Sequence, residues 1–280
     1  MFGGQRLHRV GDRSEARELH EFPEDRVIVT GAPRFDSFFE LAPRLSRENF
    51  HVPLGLDPGK PTLFYVCSSL LVSADELSFV RAWLAAIRGS AGSLRNCNII
   101  VRPHPDIELL GEKHESQEVH FPSMRGAKGF VSRPFDDSSA IVLKTSDRAR
   151  QGFFECLFHS AAVVGLNTSA QLEAGILGPP VLTILAPEFA AGQQGTLHFS
   201  YLLKEQGGFV DVAPDFDTHR RQLGAAVRGD YDPPAIRSFI EQFLRARGID
   251  RPATPHMVHA IEQFAQSHRD THSEVTETHS

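Results

Sequence analysis

Cysteine is scarce in this chain of 280 residues. Cys67, Cys97 and Cys156 stand far apart with no C-x-x-C spacing. That excludes a disulfide framework and reads as reduced thiols in or near strands of a cytoplasmic protein. Long apolar runs are missing too, so no stretch of about 18 or more residues is suited to crossing a membrane. The opening MFGGQRLHRVGDRSEARELHEF lacks the apolar core of a signal peptide. Peripheral association at the inner face of a membrane is compatible with these absences. Positive charge is not in excess: 29 Lys and Arg against 35 Asp and Glu give −6, which excludes a nonspecific nucleic-acid binder. No internal repeat is found. No D-x-D pair at a strand end is read as a metal site. His256 and His259 are three apart on one helix face but have no further ligand nearby, so no metal is expected. What is present, 41% hydrophobic and 23% charged residues, is the balance of a globular protein with a core of its own, in one large or two modest domains.

The chain is organised around residues 161–185, AAVVGLNTSAQLEAGILGPPVLTIL. Ala161–Val164 reads as a short buried strand, and Asn167, Thr168 and Ser169 are residue types that cap a helix start. Ala170–Leu177 reads as the helix, stopped by Gly178, and Pro180–Leu185 as a second strand. A βαβ unit of this length predicts parallel pairing. Its strand-to-helix turn offers free N–H groups and a helix dipole to an anion. Glu173, about one turn in, is placed to accept from ribose hydroxyls, and a phosphate beside a ribose is a nucleotide. The plainer alternative is a capped turn followed by a solvated helix acid.

Elsewhere the alternation continues. Val27–Thr30, Pro61–Cys67, Asn98–Val101, Ala140–Leu143 and Phe209–Val212 read as strands. Ser14–His20, Ala74–Ile87, Gly152–His159 and Pro234–Arg247 read as helices, with a last one starting at Thr254. Ser68 and Ser69 close one strand. Arg102-Pro103-His104-Pro105 closes another, and there Arg102 can fork two hydrogen bonds onto a phosphate while His104 donates one or moves a proton. Residues 105–150 read as polar loop, with Asp136, Asp137 and Ser138 as a charged turn. Gln193, Gln194, Gly195, Thr196 and His198 form a polar loop between strand and helix.

GLNTSAQLEAGILGPPVLTI, preceded in order by RPHP, resembles bacterial surface-polysaccharide transferases. These are the capsule polysaccharide synthesis proteins, the Kdo transferases and the CDP-glycerol glycerophosphotransferases. The resemblance implies a Rossmann-like, doubly wound α/β domain with a mostly parallel sheet, similar to the C-terminal, donor-binding half of the GT-B architecture. It implies a nucleotide-activated sugar or sugar-alcohol as donor, CDP-, CMP- or UDP-linked, with no further cofactor. Arg102 and His104 would be catalytic, stabilising the leaving phosphate. Ser68, Ser69, Asn167, Thr168, Ser169, Glu173, Thr196 and His198 would hold the donor. The capsule proteins have a G-x-T-H-like loop near the donor sugar, and here Leu197 intervenes between Thr196 and His198.

PEDRVIVTGAPRFDSFF resembles the point where such chains enter the donor domain. The expectation is therefore residues 1–25 as remnant or linker, 26–248 as donor-binding domain, 249–266 as C-terminal helix and 267–280 as a disordered tail. A separate acceptor-binding domain or subunit would then be a partner, and Pro33, Phe35, Phe38 and Phe39 would form an exposed apolar patch. Two other readings stay open. One is a UDP-N-acetylglucosamine 2-epimerase, whose D-S/T-G-G turn is replaced here by Asn167-Thr168-Ser169-Ala170. The other is a truncated, non-catalytic nucleotide-binding subunit.

Overall fold

The computed structural model describes residues 16, 21–23, 27–73, 75–104, 117–120, 128–135, 137–145 and 150–277, without the side chains of 117–129, 145 and 267–277. Contacts group the chain into two compact units, Leu41–Arg237, and Met1–Glu40 with Ser238–Ser280.

The larger unit is built on an eight-stranded sheet. Its strands are β1 (Thr62–Val66), β2 (Asn98–Arg102), β3 (Gln117–His120), β4 (Lys128–Ser132), β5 (Ala140–Thr145), β6 (Ala162–Val164), β7 (Val181–Ile184) and β8 (Val210–Ala213), in the spatial order β3-β4-β5-β2-β1-β6-β7-β8. Only the pairings of β4 with β3 and with β5 are antiparallel; all the others are parallel. β1, β6 and β7 are buried at every position, as strands covered on both faces must be. Odd-numbered residues of β1 and β2 (Leu63, Tyr65, Ile99, Val101) join a core with Phe79, Val80, Trp83 and Ile87. These last belong to helix α3 (Glu76–Arg88), and Leu223 and Ala226 of helix α7 (Phe216–Val227) complete that side. Phe64 points the other way, onto Phe153 with ring centroids 5.8 Å apart. Phe153 lies on helix α4 (Arg150–Phe158), which packs beside α5 (Ala170–Leu177). This is the doubly wound α/β arrangement.

The remaining helices are α1 (Asp36–Phe39), α2 (Arg47–His51), α6 (Leu197–Leu202), α8 (Pro233–Leu244) and α9 (Ala253–Glu277). α2 is locked to the sheet by His51, fully buried, whose ring nitrogens meet Arg47 O and Thr62 Oγ1, both at 2.7 Å.

In the smaller unit, Gly31 takes φ +86°, and a Cβ there would stand 2.6 Å from Leu244 O. Ala32 N donates to that same carbonyl at 2.9 Å. Asp36 accepts from Ala253 N (2.9 Å) and from Thr254 N (2.7 Å) and Oγ1 (2.5 Å), capping the start of α9.

Several expectations are corrected. Val27–Thr30 is not a strand: it pairs with no described strand, and Ile28 is half exposed. β-branched composition alone does not recruit a partner. Phe35 and Phe38 are buried, Phe39 is half-buried beneath the Arg245 guanidinium, and no exposed patch forms from them. Residues 117–120 and 128–132, read as loop, form the antiparallel edge hairpin; their short stretches are interrupted by Gly129 and show no clear period. Ser267–Glu277 continues α9 instead of forming a disordered tail, since no Gly or Pro follows Pro255 to stop it. The helix expected at Ser14–His20 lies, apart from Ala16, outside the described residues, and so does Asp136.

Candidate functional site

The strand order reverses between β1 and β6. From β1 the chain moves through β2 to β5 on one side, then returns to β6 beside β1 and moves outward through β7 to β8. In open α/β sheets the crevice beyond the carboxyl ends of the two strands at such a reversal is where ligands bind. Ser68 and Ser69 follow β1, and Gly165 to Ser169 follow β6. They meet directly, Asn167 N donating to Ser68 Oγ at 3.2 Å. Gly165 permits the approach: a Cβ there would stand 3.0 Å from Val66 O.

Arg102 ends β2, which lies on the other side of β1. β2 and β6 are thus two strand spacings apart, about 9.5 Å. The Arg102 guanidinium carbon stands 4.0 Å from the centre of the Phe153 ring, a cation–π contact that fixes the face of the group. His104 is half-buried two residues beyond β2, and residues 105–116, which continue from it, lie outside the described residues. Glu173 is half-buried in the first turn of α5.

Not every named side chain does what its type suggests. Asn167 does not cap α5. It is buried, and its Nδ2 donates to Gly192 O (2.7 Å) and Thr196 Oγ1 (3.1 Å). Thr196 Oγ1 in turn donates to Gln193 O at 2.9 Å. These two residues tie the loop after β6 to the loop after β7. Gln193, also buried, donates to Leu166 O (3.1 Å) and Ile184 O (2.8 Å) and accepts from Ala186 N (3.0 Å). Thr168 makes the nearest thing to a cap, Oγ1 accepting from Ala170 N and its own N donating to Gln171 Oε1, both at a long 3.4 Å. The Ser169 side chain makes no cap bond. The N–H groups of Ser69 and Ser169 have no protein partner among the described residues. His198 is exposed on α6, and the desolvation it meets there lowers its pKa.

Beneath the crevice lies a group that sequence patterning did not mark. Glu76, buried at the start of α3, accepts from Ser68 N at 2.7 Å and from Tyr65 OH at 2.9 Å. Burial raises its pKa to about 7, against the opposing hydrogen bonds from Ser68 and Tyr65. An acidic residue in a first helical turn is ordinary, and only the fold reveals that this one faces inward.

Asp215-Phe216-Asp217 follows β8, but both acids are committed elsewhere. Asp215 accepts from Thr218 N at 2.7 Å as the cap of α7, and Asp217 pairs with Arg220. Among the described residues no cluster of His, Cys, Asp or Glu is arranged to hold a metal ion, and no helix is long and apolar enough to cross a membrane. All three cysteines are free and buried.

No protein-family description matches this chain, and no curated protein matches it in sequence. Among solved structures it is similar to the wall teichoic acid polymerase TagF, with TM-score 0.45 and 12% identity over 92% of this chain and 58% of that one. It is also similar to the UDP-GlcNAc 2-epimerase from Methanocaldococcus jannaschii, with TM-score 0.42 and 10% identity over 88% and 58%. The spinosyn forosaminyltransferase SpnP follows with 0.36 and 17% over 75% and 45%. The chain therefore spans less than two thirds of the length of these structures, and the likeness assigns it no activity.

Proposed function

We propose that this chain binds a nucleotide-activated sugar or sugar-alcohol as the donor domain of a GT-B-type glycosyltransferase or glycerophosphotransferase, in surface-polysaccharide synthesis. The observation that carries the reading is the meeting of the Ser68–Ser69 and Asn167–Ser169 loops at the strand-order reversal, where Asn167 N reaches Ser68 Oγ at 3.2 Å. Its support from sequence is the resemblance of the segments holding Arg102, His104 and Asn167 to Glu173.

In this reading the diphosphate lies across the crevice. The N–H groups of Ser69 and Ser169 and the dipole of α5 face it, and Arg102 neutralises charge as the leaving group departs. His104 donates a hydrogen bond to the same phosphates, and Glu173 accepts from the ribose. Asn167 and Thr196 act differently from the expectation: they hold the two loops together, and the donor meets what they position. His198 stands beside the sugar. These groups form a metal-independent site for a CDP-, CMP- or UDP-linked donor, and the acceptor is supplied by a separate domain or subunit. Work at the inner face of the membrane in the cytoplasm accords with that role. An epimerase of the same architecture is the competing reading.

Calorimetric titration with CDP, UDP and pyrophosphate tests it. The unmodified protein should bind the nucleoside diphosphates without added metal. Arg102→Ala should weaken them by roughly 1.5–3 kcal/mol, the worth of a charge-assisted hydrogen bond. Glu173→Gln should weaken CDP and UDP while sparing pyrophosphate, which has no ribose. Failure of the unmodified protein to bind either nucleotide overturns the reading. Equal losses for all three ligands in Glu173→Gln would make that carboxylate a support of the fold.

A further inference from the structure

The opposite end of the sheet carries a feature that the donor reading leaves unused. A cleft of about 590 Å³ opens there, within the size range of small-ligand sites. Lys60, just before β1, Asn96, before β2, and Ser138 and Ser139, before β5, place it at the amino ends of the parallel strands. A five-residue strand puts it about 17 Å from the donor crevice.

We propose that this cleft is a second binding site, in which Arg81, Arg95 and Lys60 take a multivalent oxyanion of the phosphate class. The charges around it divide into those already matched and those that are not. Arg88 is saturated. It pairs with Asp137 and donates to Arg95 O (2.8 Å), Cys97 O (2.9 Å) and Ser139 Oγ (3.0 Å). Asp137 also accepts from Ser139 N at 2.9 Å and Oγ at 2.7 Å. Arg88 and Asp137 therefore cancel each other and stiffen the two turns that form the walls.

Arg81 is steadied rather than used up. One nitrogen donates to Pro134 O at a long 3.4 Å, and its guanidinium carbon lies 5.6 Å from the centre of the Phe135 ring. Most of its donors remain for a ligand. Arg95 has its carbonyl clamped by Arg88, while its exposed side chain has no partner among the described residues. Lys60 makes only a loose pair with Asp57, at 3.7 Å and 44% side-chain exposure. Two guanidinium forks and an ammonium over a wall of Leu84, Ala85 and Phe135 suit an ion with several charged oxygens better than a single carboxylate. In a chain of net charge −6, this local excess runs against the whole.

A neighbouring cleft of about 970 Å³ is lined by residues 89–94, which lie in sequence between Arg88 and Arg95 of the first cleft, and by Arg220, Arg221 and Arg228 of α7 and its end. Arg220 is paired with Asp217, and Arg221 donates to Thr218 Oγ1 at 3.1 Å. Arg228 is left to extend the site for a longer anion. Free pyrophosphate would fill the first cleft alone, whereas a polyphosphate or phosphodiester chain would reach the second.

The test titrates the full chain with pyrophosphate and with polyphosphate at low and physiological salt, comparing the Arg81→Ala/Arg95→Ala double variant with Arg102→Ala. The proposal expects the double variant to lose roughly tenfold or more in pyrophosphate affinity, two charge-assisted contacts being removed. It also expects binding to weaken with salt. Both arginines are exposed, and the Arg81→Lys/Arg95→Lys variant, which keeps the charge but removes the fork, should show an intermediate loss if the alanine pair fails to fold. Unchanged affinity in the double variant, or loss in Arg102→Ala alone, overturns the proposal, as does no binding by the unmodified protein. The donor reading, in which pyrophosphate also enters the crevice, fails separately: its pyrophosphate site is competed by CDP and weakened by Arg102→Ala, whereas the site at this cleft persists in CDP and is lost in the double variant. Arg228→Ala weakening only polyphosphate identifies the ligand as a chain; no change identifies it as a small ion.

Discussion

Glu76 shows how much a single buried residue can set. Its carboxylate holds Ser68 N and Tyr65 OH, and burial raises its pKa to about 7 from an ordinary 4.5. The folded protein thus takes up a proton at higher pH than the unfolded chain does. On Glu76 alone, stability is greatest below about pH 4.5 and is lost as pH rises through 7, by roughly 3 kcal/mol for a shift of this size. Two buried histidines act in the opposite sense. Burial lowers His51 to about 4 and His219 to about 3, so their stabilisation is lost as pH falls below the unfolded value near 6.5. His219 also accepts from Trp83 Nε1 at 3.0 Å, which a charged ring could not do. The two effects offset each other between pH 7 and 5 in the unmodified protein. Glu76→Gln, whose Oε1 can accept from Ser68 N while its Nε2 donates to the Tyr65 hydroxyl oxygen, removes only the first. Urea denaturation should then show stability falling more steeply on acidification across that range. Parallel pH profiles for the two proteins would mean that Glu76 carries no such proton.

At the scale of elements, what could be read from sequence divides by where the stabilising contacts come from. α3 and α5 were visible within two residues at either end and α8 within three, because their apolar spacing and stops are local. β1, β2, β6 and β7 were visible because strands buried on both faces read as continuous apolar runs. The edge pair β3 and β4 was not, since short edge strands depend on a neighbour for their form. Of the candidate site, the positions of Ser68, Arg102 and Asn167 at strand ends were legible, but their partners were not. That Asn167 faces Gly192 and Thr196 depends on contacts 25 and 29 residues away in sequence. Asp36 is the extreme case: its three bonds to Ala253 and Thr254 span 217 and 218 residues. Burial alone would raise its pKa, but those bonds and Arg245, 3.2 Å away, bring it below the ordinary value. Asp36→Ala should cost about 3–5 kcal/mol, because it uncaps α9 and leaves the buried Arg245 charge unpaired. Adding Arg245→Met should recover part of that loss in thermal denaturation. No recovery would place the cost in the cap alone.

At the scale of the whole sheet, the chain has two chemically different ends. The carboxyl ends of the strands gather serines, unmatched backbone N–H groups and one arginine held on an aromatic ring. The amino ends gather arginine side chains around clefts. Parallel strands produce this separation, since each loop that leaves a strand at one end belongs to the same end as its neighbours. Backbone hydrogen exchange can therefore tell the two sites apart without any substitution. CDP should slow exchange in residues 67–73 and 165–173 and leave 89–96 and 137–140 unchanged. Polyphosphate should do the reverse. Ligand binding adds stabilisation in proportion to the logarithm of its concentration over its dissociation constant, so at a hundredfold excess the local protection should grow by up to about 2.7 kcal/mol. If CDP protected the amino-end turns instead, the donor site would have to be moved to the arginine cleft, and the resemblance at Asn167 to Glu173 would describe the fold without its chemistry.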